Sequence, residues 1–207
     1  MELGICHVVG AGEFCPRGLT PGPGDLVIAA DGGFAALEGL GLSPDLVVGD
    51  FDSLWHRPDH PHVVALPVEK DDTDMHSAIR LGWERGYRAF RLYGGTGGRI
   101  DHTLANIQSL AWLASQRGRG WLVGPDWTAT VLSDGGALTL EAGRQGMVSV
   151  FCLGDRAEGV DIQGLKYGLS DGVLTADYPL GVSNSFLGGE SRVSVRRGKL
   201  LVLWYES

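Results

Sequence analysis

Val27-Ile28-Ala29-Ala30-Asp31-Gly32-Gly33 opens a stretch, residues 27–101, in which each apolar run ends in glycine, aspartate or both. Leu46-Val47-Val48 is followed by Gly49-Asp50-Phe51-Asp52-Ser53. Val63-Val64-Ala65-Leu66-Pro67 leads to Lys70-Asp71-Asp72-Thr73-Asp74. Phe90-Arg91-Leu92-Tyr93 leads to Gly94-Gly95-Thr96-Gly97-Gly98-Arg99-Ile100-Asp101. Short apolar runs of this kind, alternating with helical patterns, read as the strands of an open α/β sheet. Such sheets bind ligands beyond the carboxyl ends of their strands, so the pattern gathers carboxylates on one rim. Like charges this dense repel unless a cation lies among them. Hard oxygen donors point to Mg²⁺, which is held by one or two carboxylates together with substrate phosphates.

Outward from that stretch, residues 5–9 form an apolar run ending in Gly10-Ala11-Gly12. Gly10-x-Gly12 lacks the third glycine of a dinucleotide fingerprint and reads better as a tight turn near a ligand. Within the stretch, helices are expected over 34–40, from Thr73 to Gly86, and over 101–116. In the second, Met75, Ala78, Ile79, Gly82 and Trp83 recur at i, i+3, i+4. Asp72 or Thr73 can cap it and Gly86 can end it. Capping accounts for one or two of Asp71, Asp72 and Asp74, and not for the third or for Lys70. In the third helix the spacing puts Leu104, Ile107, Ala111 and Ala114 on the inner face. The glycine loop before it is not a Walker A loop, since no Gly-Lys-Ser/Thr follows. Its glycines can still turn backbone N–H groups toward phosphate, with Arg99 as a forked donor.

The alternation stops near Gly124-Pro125. Beyond it, strands are expected over 129–133, 137–140, 147–153, 160–162, 173–175, 193–195 and 200–205, separated by glycine turns. Closely spaced short strands imply a sandwich or barrel. The fold expected is α/β: an open, mostly parallel sheet with flanking helices over residues 1–125, then an all-β domain over 126–207.

The chain has 207 residues and a net charge of −8, with no basic run, which argues against a nucleic-acid surface. Three widely spaced cysteines form no metal pattern and no disulfide framework. No basic n-region precedes an apolar segment, and no apolar run approaches the roughly 20 residues of a membrane span. A cytoplasmic location, with no membrane partner, is expected.

The ordered motifs Asp31-Gly32-Gly33, Gly49-Asp50-Phe51-Asp52-Ser53, Lys70-Asp71-Asp72-Thr73-Asp74 and Gly94 to His102, with Gly181-Val182-Ser183-Asn184, resemble those of the thiamine pyrophosphokinase (thiamine diphosphokinase) family. The resemblance spans nearly the whole chain. It implies an α/β catalytic domain followed by a β-sandwich domain, and a homodimer with thiamine bound near the subunit interface. It implies conversion of thiamine and ATP to thiamine diphosphate and AMP, with Mg²⁺ as cofactor. By resemblance, Asp31, Asp50, Asp52, Asp71, Asp74 and Asp101 are the acidic site residues. Asp50 and Asp52 are the first choice for Mg²⁺, with Asp71 and Asp101 as metal or water-mediated partners. Two residues apart, Asp50 and Asp52 share a face if extended, and in a turn can converge on one ion. Asp74 is placed against the thiazolium cation, and Asp72 is secondary. The ATP-binding set is Asp31, Gly32, Lys70, Gly95, Gly97 and Arg99, with Lys70 and Arg99 on phosphate oxygens. Ser183 and Asn184 match the family's thiamine-lining pair. Relatives often carry an acidic residue after that Asn, where this chain has Ser185. Tyr167 stands where some relatives have a stacking Trp, and can offer an aromatic face to the cation. His102 is either a base or a structural residue. The competing readings are a pyrophosphokinase acting on a pterin-type hydroxymethyl heterocycle, a non-catalytic thiamine or nucleotide sensor, and a structural protein with capping aspartates.

Overall fold

The computed structural model describes residues 3–50, 60–67 and 71–205. Asp52 and Lys70 lie outside the described residues. The chain divides into two compact units, Met1–Ser109 with Gly118–Pro125, and Leu110–Arg117 with Asp126–Ser207.

The strands of the first unit are β1 (Ile5–Val9), β2 (Leu26–Ala30), β3 (Leu46–Gly49), β4 (Val63–Ala65), β5 (Ala89–Tyr93) and β6 (Arg119–Val123). They lie in the order β6-β5-β1-β2-β3-β4, and every pair is parallel. β2 is buried along its whole length, as expected of a parallel strand covered on both faces. Val9, Val27, Ala29, Leu37, Val47, Tyr93 and Val123 share one core cluster. β6 was not among the expected strands, because Arg119 and Gly120 dilute Trp121-Leu122-Val123 and the pairing with β5 is a long-range contact. The chain runs from β1 out to β4 on one side and returns to β5 on the other. The strand order therefore reverses between β1 and β5, and such a switch point opens a crevice at the strands' carboxyl ends.

The helices are α1 (Gly33–Gly39), α2 (Asp74–Glu84) and α3 (Ile100–Ser115). The Thr73 hydroxyl caps α2 by accepting from His76 N at 3.2 Å. Met75, Ala78, Ile79 and Gly82 are buried as the spacing requires. α3 corrects the expected phase. Its buried residues are Asn106, Ser109, Leu110, Leu113 and Ala114, whereas Leu104 is 55% exposed. Two inner positions are polar and satisfied internally: Asn106 Nδ2 donates to Gly95 O at 2.7 Å, and Ser109 Oγ donates to Ala105 O at 3.0 Å. A periodicity that counts apolar side chains alone assigns these two to the wrong face. No helix among the described residues is long and apolar enough to cross a membrane.

β1 carries a buried histidine. His7 Nε2 lies 3.4 Å from Asp25 Oδ2, and the ring stacks on Tyr93. Burial pushes the His7 pKa below its ordinary 6.5, against the opposing pull of Asp25. His76 is lowered the same way, again chiefly by burial. Both stay neutral in the fold at a pH where the unfolded chain already binds protons. Their contribution to stability is therefore complete above 6.5 and is lost as pH falls from there toward the lowered folded values. As pH is lowered below 6.5, thermal melting is expected to fall more steeply for the unaltered chain than for His7→Gln. Equal slopes would remove His7 as a source of acid sensitivity.

The second unit contains β7 (Trp127–Ser133), β8 (Ala137–Leu140), β9 (Met147–Cys152), β10 (Arg156–Gln163), β11 (Leu169–Thr175), β12 (Gly181–Ser185), β13 (Ser191–Arg197) and β14 (Lys199–Tyr205). They form two antiparallel sheets, β12-β9-β14-β7 and β11-β10-β13-β8. The sheets pack face to face as a sandwich, burying Val148, Val150, Val160, Ile162, Val193, Val195, Leu200 and Val202. β12 takes in Ser183-Asn184, a pair that from sequence alone also reads as an ordinary turn.

Candidate active site

The glycine segments after β1 and β5 lie against each other at the switch point. Gly10 N donates to Tyr93 O at 2.8 Å, Gly12 N to Gly94 O at 2.8 Å, and Glu13 N to Thr96 O at 2.6 Å. The parallel ladder of β1 and β5 thus continues past both strand ends. A side chain cannot enter here. A Cβ on Gly12 would lie 2.5 Å from Thr96 O, and one on Gly94 would collide with Gly10 O. Gly94, Gly97 and Gly98 have φ of +57°, +78° and +60°, a region open to glycine at no steric cost. Asn106, buried in α3, holds the loop from below through Gly95 O.

Above this floor is a cavity of about 460 Å³. Asp31 reaches it from the end of β2, Asp50 from the end of β3, and Asp72 and Asp74 from the start of α2. Gly95, Gly97, Arg99 and His102 close the opposite side. Asp31 has φ of +49°, uncommon for a side-chain-bearing residue, and its N–H donates to Val48 O at 2.7 Å. Strained backbone of this kind persists where the surrounding structure over-determines it, commonly at ligand sites. Thr96 Oγ1 lies buried beside the glycines with no hydrogen-bond partner among the described residues.

Several expected site residues are brought together and others are not. Asp31, Asp50, Asp74, Gly95, Gly97 and Arg99 share the cavity, whereas Gly32, Asp71 and Asp101 are not in its lining. Asp101 instead receives the Arg99 fork, with Nε to Oδ1 at 3.1 Å and Nη2 to Oδ2 at 2.5 Å. That hydrogen bond holds the Asp101 carboxyl below the usual carboxylate range and raises the Arg99 guanidinium further. Asp72 is drawn along α2 by Arg80, at 3.3 Å. Gly10, Gly12, Thr96 and Asn106 also line the cavity and were not among the expected site residues. The paired glycines of Gly10-Ala11-Gly12 were the available signal for the first two.

The lining donors suit a hard cation. Among the described residues, the cavity's ionisable donors are the carboxylates of Asp31, Asp50, Asp72 and Asp74 and the His102 imidazole, with no thiolate. No three acidic, His or Cys side chains converge as a complete metal cage among the described residues. An incomplete set is what Mg²⁺ uses when phosphates complete its shell.

The second unit holds Tyr167, Ser183 and Asn184. The Tyr167 ring is 61% exposed, and Lys166 Nζ lies 5.3 Å from its centroid. That ring face therefore already meets a cation. Ser183 is exposed, while Asn184 is 4% exposed.

The family model for the catalytic domain of thiamin pyrophosphokinase matches residues 23–120, and that for its vitamin B1 binding domain matches residues 138–200. The thiamine pyrophosphokinase of Bacillus subtilis (strain 168) is 26% identical over 184 residues, 86% of each chain. The crystal structure of thiamin pyrophosphokinase from Geobacillus thermodenitrificans aligns with a TM-score of 0.83 at 27% identity, covering 99% of this chain and 98% of that one. The Bacillus subtilis crystal structure aligns with a TM-score of 0.87 at 24% identity, over 99% of this chain and all of that one, and speaks to fold alone. With both domain models matched in chain order, the chain belongs to the thiamine pyrophosphokinase family of enzymes.

Proposed function

We propose that this chain transfers the pyrophosphoryl group of ATP to the hydroxyethyl oxygen of thiamine, releasing AMP and thiamine diphosphate. The observation that carries this reading is the crevice at the β1/β5 switch point. It pairs a glycine floor suited to phosphate with carboxylates at the ends of β2 and β3 and the start of α2. In the reaction, the acceptor oxygen bonds to the β-phosphorus, and the bond from that phosphorus to the α,β-bridging oxygen breaks. The hydroxyl proton leaves to a base or to water.

Chemistry of this type depends on positioning and charge stabilisation more than on a strong base. Backbone N–H groups of the Gly94–Gly98 loop would seat phosphate oxygens, with Gly95 and Gly97 allowing close approach. Arg99 would offer its fork to the same phosphates. It is now engaged by Asp101, so an arriving nucleotide competes for the guanidinium and frees that carboxylate. Asp50 and Asp52 would hold Mg²⁺, with Asp71 and Asp101 as further partners. When bound, the ion neutralises phosphate charge and polarises the reacting group. Asp31, Gly32 and Lys70 complete the proposed nucleotide set. Asp74 would face the thiazolium, and Tyr167, Ser183 and Asn184 form the proposed acceptor surface. A homodimer is part of this reading, and light scattering coupled to size exclusion checks it.

The test is AMP release with ATP, Mg²⁺ and thiamine, omitting each in turn. AMP formed only with all three present is the expected result. AMP formed with a hydroxymethylpterin in place of thiamine would move the acceptor to the pterin class.

A further inference from the structure

β12 carries an irregularity where it pairs with β9. Gly181 pairs with Val150, and Asn184 with Val148. Three steps on β12 therefore oppose two on β9, which is a bulge of one residue. A bulge leaves a backbone group out of the ladder and re-aims the neighbouring side chain. Ser183 lies in it with φ of +60°. Its N–H donates to Ser149 Oγ on β9 at 3.1 Å, so a side chain replaces the missing ladder acceptor. Asn184 does the same for the neighbouring turn. Its Oδ1 accepts from Tyr167 N and from Ser185 N, each at 2.9 Å, and its Nδ2 donates to Tyr167 O at 2.6 Å. One side chain thus takes both backbone polar groups of Tyr167. An asparagine amide has two donor hydrogens and one acceptor oxygen, and these bonds leave one N–H over. Asn184 and Ser149 are both buried, whereas the Tyr167 ring and Ser183 are exposed.

We infer that Asn184 and Ser149 are positioning residues that present Tyr167 and Ser183 to the acceptor without touching it. Asn184 thereby moves from the contact set to the support beneath it, and Ser149 enters the site. The inference rests on the thiamine reading for the identity of the acceptor, and on the hydrogen bonds alone for the positioning.

Variants at three positions test it. Asn184→Ala is expected to raise the KM for thiamine about tenfold, with kcat and the KM for ATP within about twofold. In a Tyr167→Ala background the same change should add little, because Asn184 acts through Tyr167. Asn184→Asp is the discriminating variant. It keeps the two accepted bonds but sets a carboxylate against Tyr167 O, so KM should rise. A residue in contact with the thiazolium would bind the cation more tightly as Asp, and a fall in KM would overturn the inference. Multiplicative effects of Tyr167→Ala and Asn184→Ala would overturn it too. Amide hydrogen exchange gives a readout independent of turnover. Asn184→Ala should speed exchange at Tyr167, and Ser149→Ala at Ser183, with melting temperatures confirming the fold. Unchanged exchange at both sites contradicts the positioning. Failure of the unaltered chain to make AMP from thiamine defeats the functional reading and leaves the exchange result to decide this one.

Discussion

Asp50→Asn should lower kcat/KM by at least about 100-fold, the loss typical of removing a charge-stabilising group aimed at a reacting centre. Asp50 follows β3 and lines the cavity opposite the glycine loop. The substitution keeps the side-chain shape and replaces an anionic oxygen pair with a neutral amide. A group that holds a divalent ion loses most of its affinity for it in that exchange, since hard cations favour carboxylate. The Mg²⁺ concentration for half-maximal rate should therefore rise together with the loss of turnover. The fold should be intact, because the crevice is built by backbone pairing and by Asn106. Near-normal kcat/KM with an unchanged Mg²⁺ dependence would remove Asp50 from the metal set. Arg99→Ala should show a different pattern, with KM for ATP raised and the Mg²⁺ dependence kept.

The second large effect is on stability. Gly94→Ala should cost about 3 kcal/mol, and melting should fall by about 10 °C. Two penalties add at this position. The residue has φ of +57°, where a Cβ costs roughly 1–2 kcal/mol. The added methyl would also collide with Gly10 O, the carbonyl in the neighbouring glycine segment. Gly98 separates the two terms. It has φ of +60°, yet a Cβ there meets nothing within 4 Å among the described residues. Gly98→Ala should cost only the conformational part, about 1 kcal/mol. Equal losses for the two variants would show that the packing of the glycine segments contributes nothing. Because those segments floor the cavity, Gly94→Ala should also weaken ATP binding where the protein remains folded.

The legible part of the molecule was the part written in local pattern. Apolar runs ending in Asp31 and Asp50, and the glycines from Gly94 to Gly98, announced strand ends and a rim. The helix over Asp74–Glu84 was announced by its spacing and by Thr73. What escaped depended on which partner each group takes in the fold, whether near or distant in sequence. The inner face of α3 includes Asn106 and Ser109, polar residues that become core once Gly95 and Ala105 supply partners. β6 is a strand because β5 is there to pair with it. Asp101 is paired with Arg99 and is not in the cavity lining, and spacing alone does not announce that pairing. Asn184 was assigned by resemblance to an acceptor-lining pair, and its bonds to Tyr167 are visible only once residues seventeen positions apart are brought together. The acidic residues at the strand ends were legible, then, and the polar side chains that hold backbone in place were not.

The most direct test of the account follows the β-phosphorus. Unaltered protein is given thiamine, Mg²⁺ and ATP labelled at the β-phosphorus, and the products are separated. Pyrophosphoryl transfer puts the label into thiamine diphosphate and leaves AMP unlabelled. Label retained in ADP, with thiamine carrying a single phosphate, would contradict attack at the β-phosphorus and with it the assigned reaction.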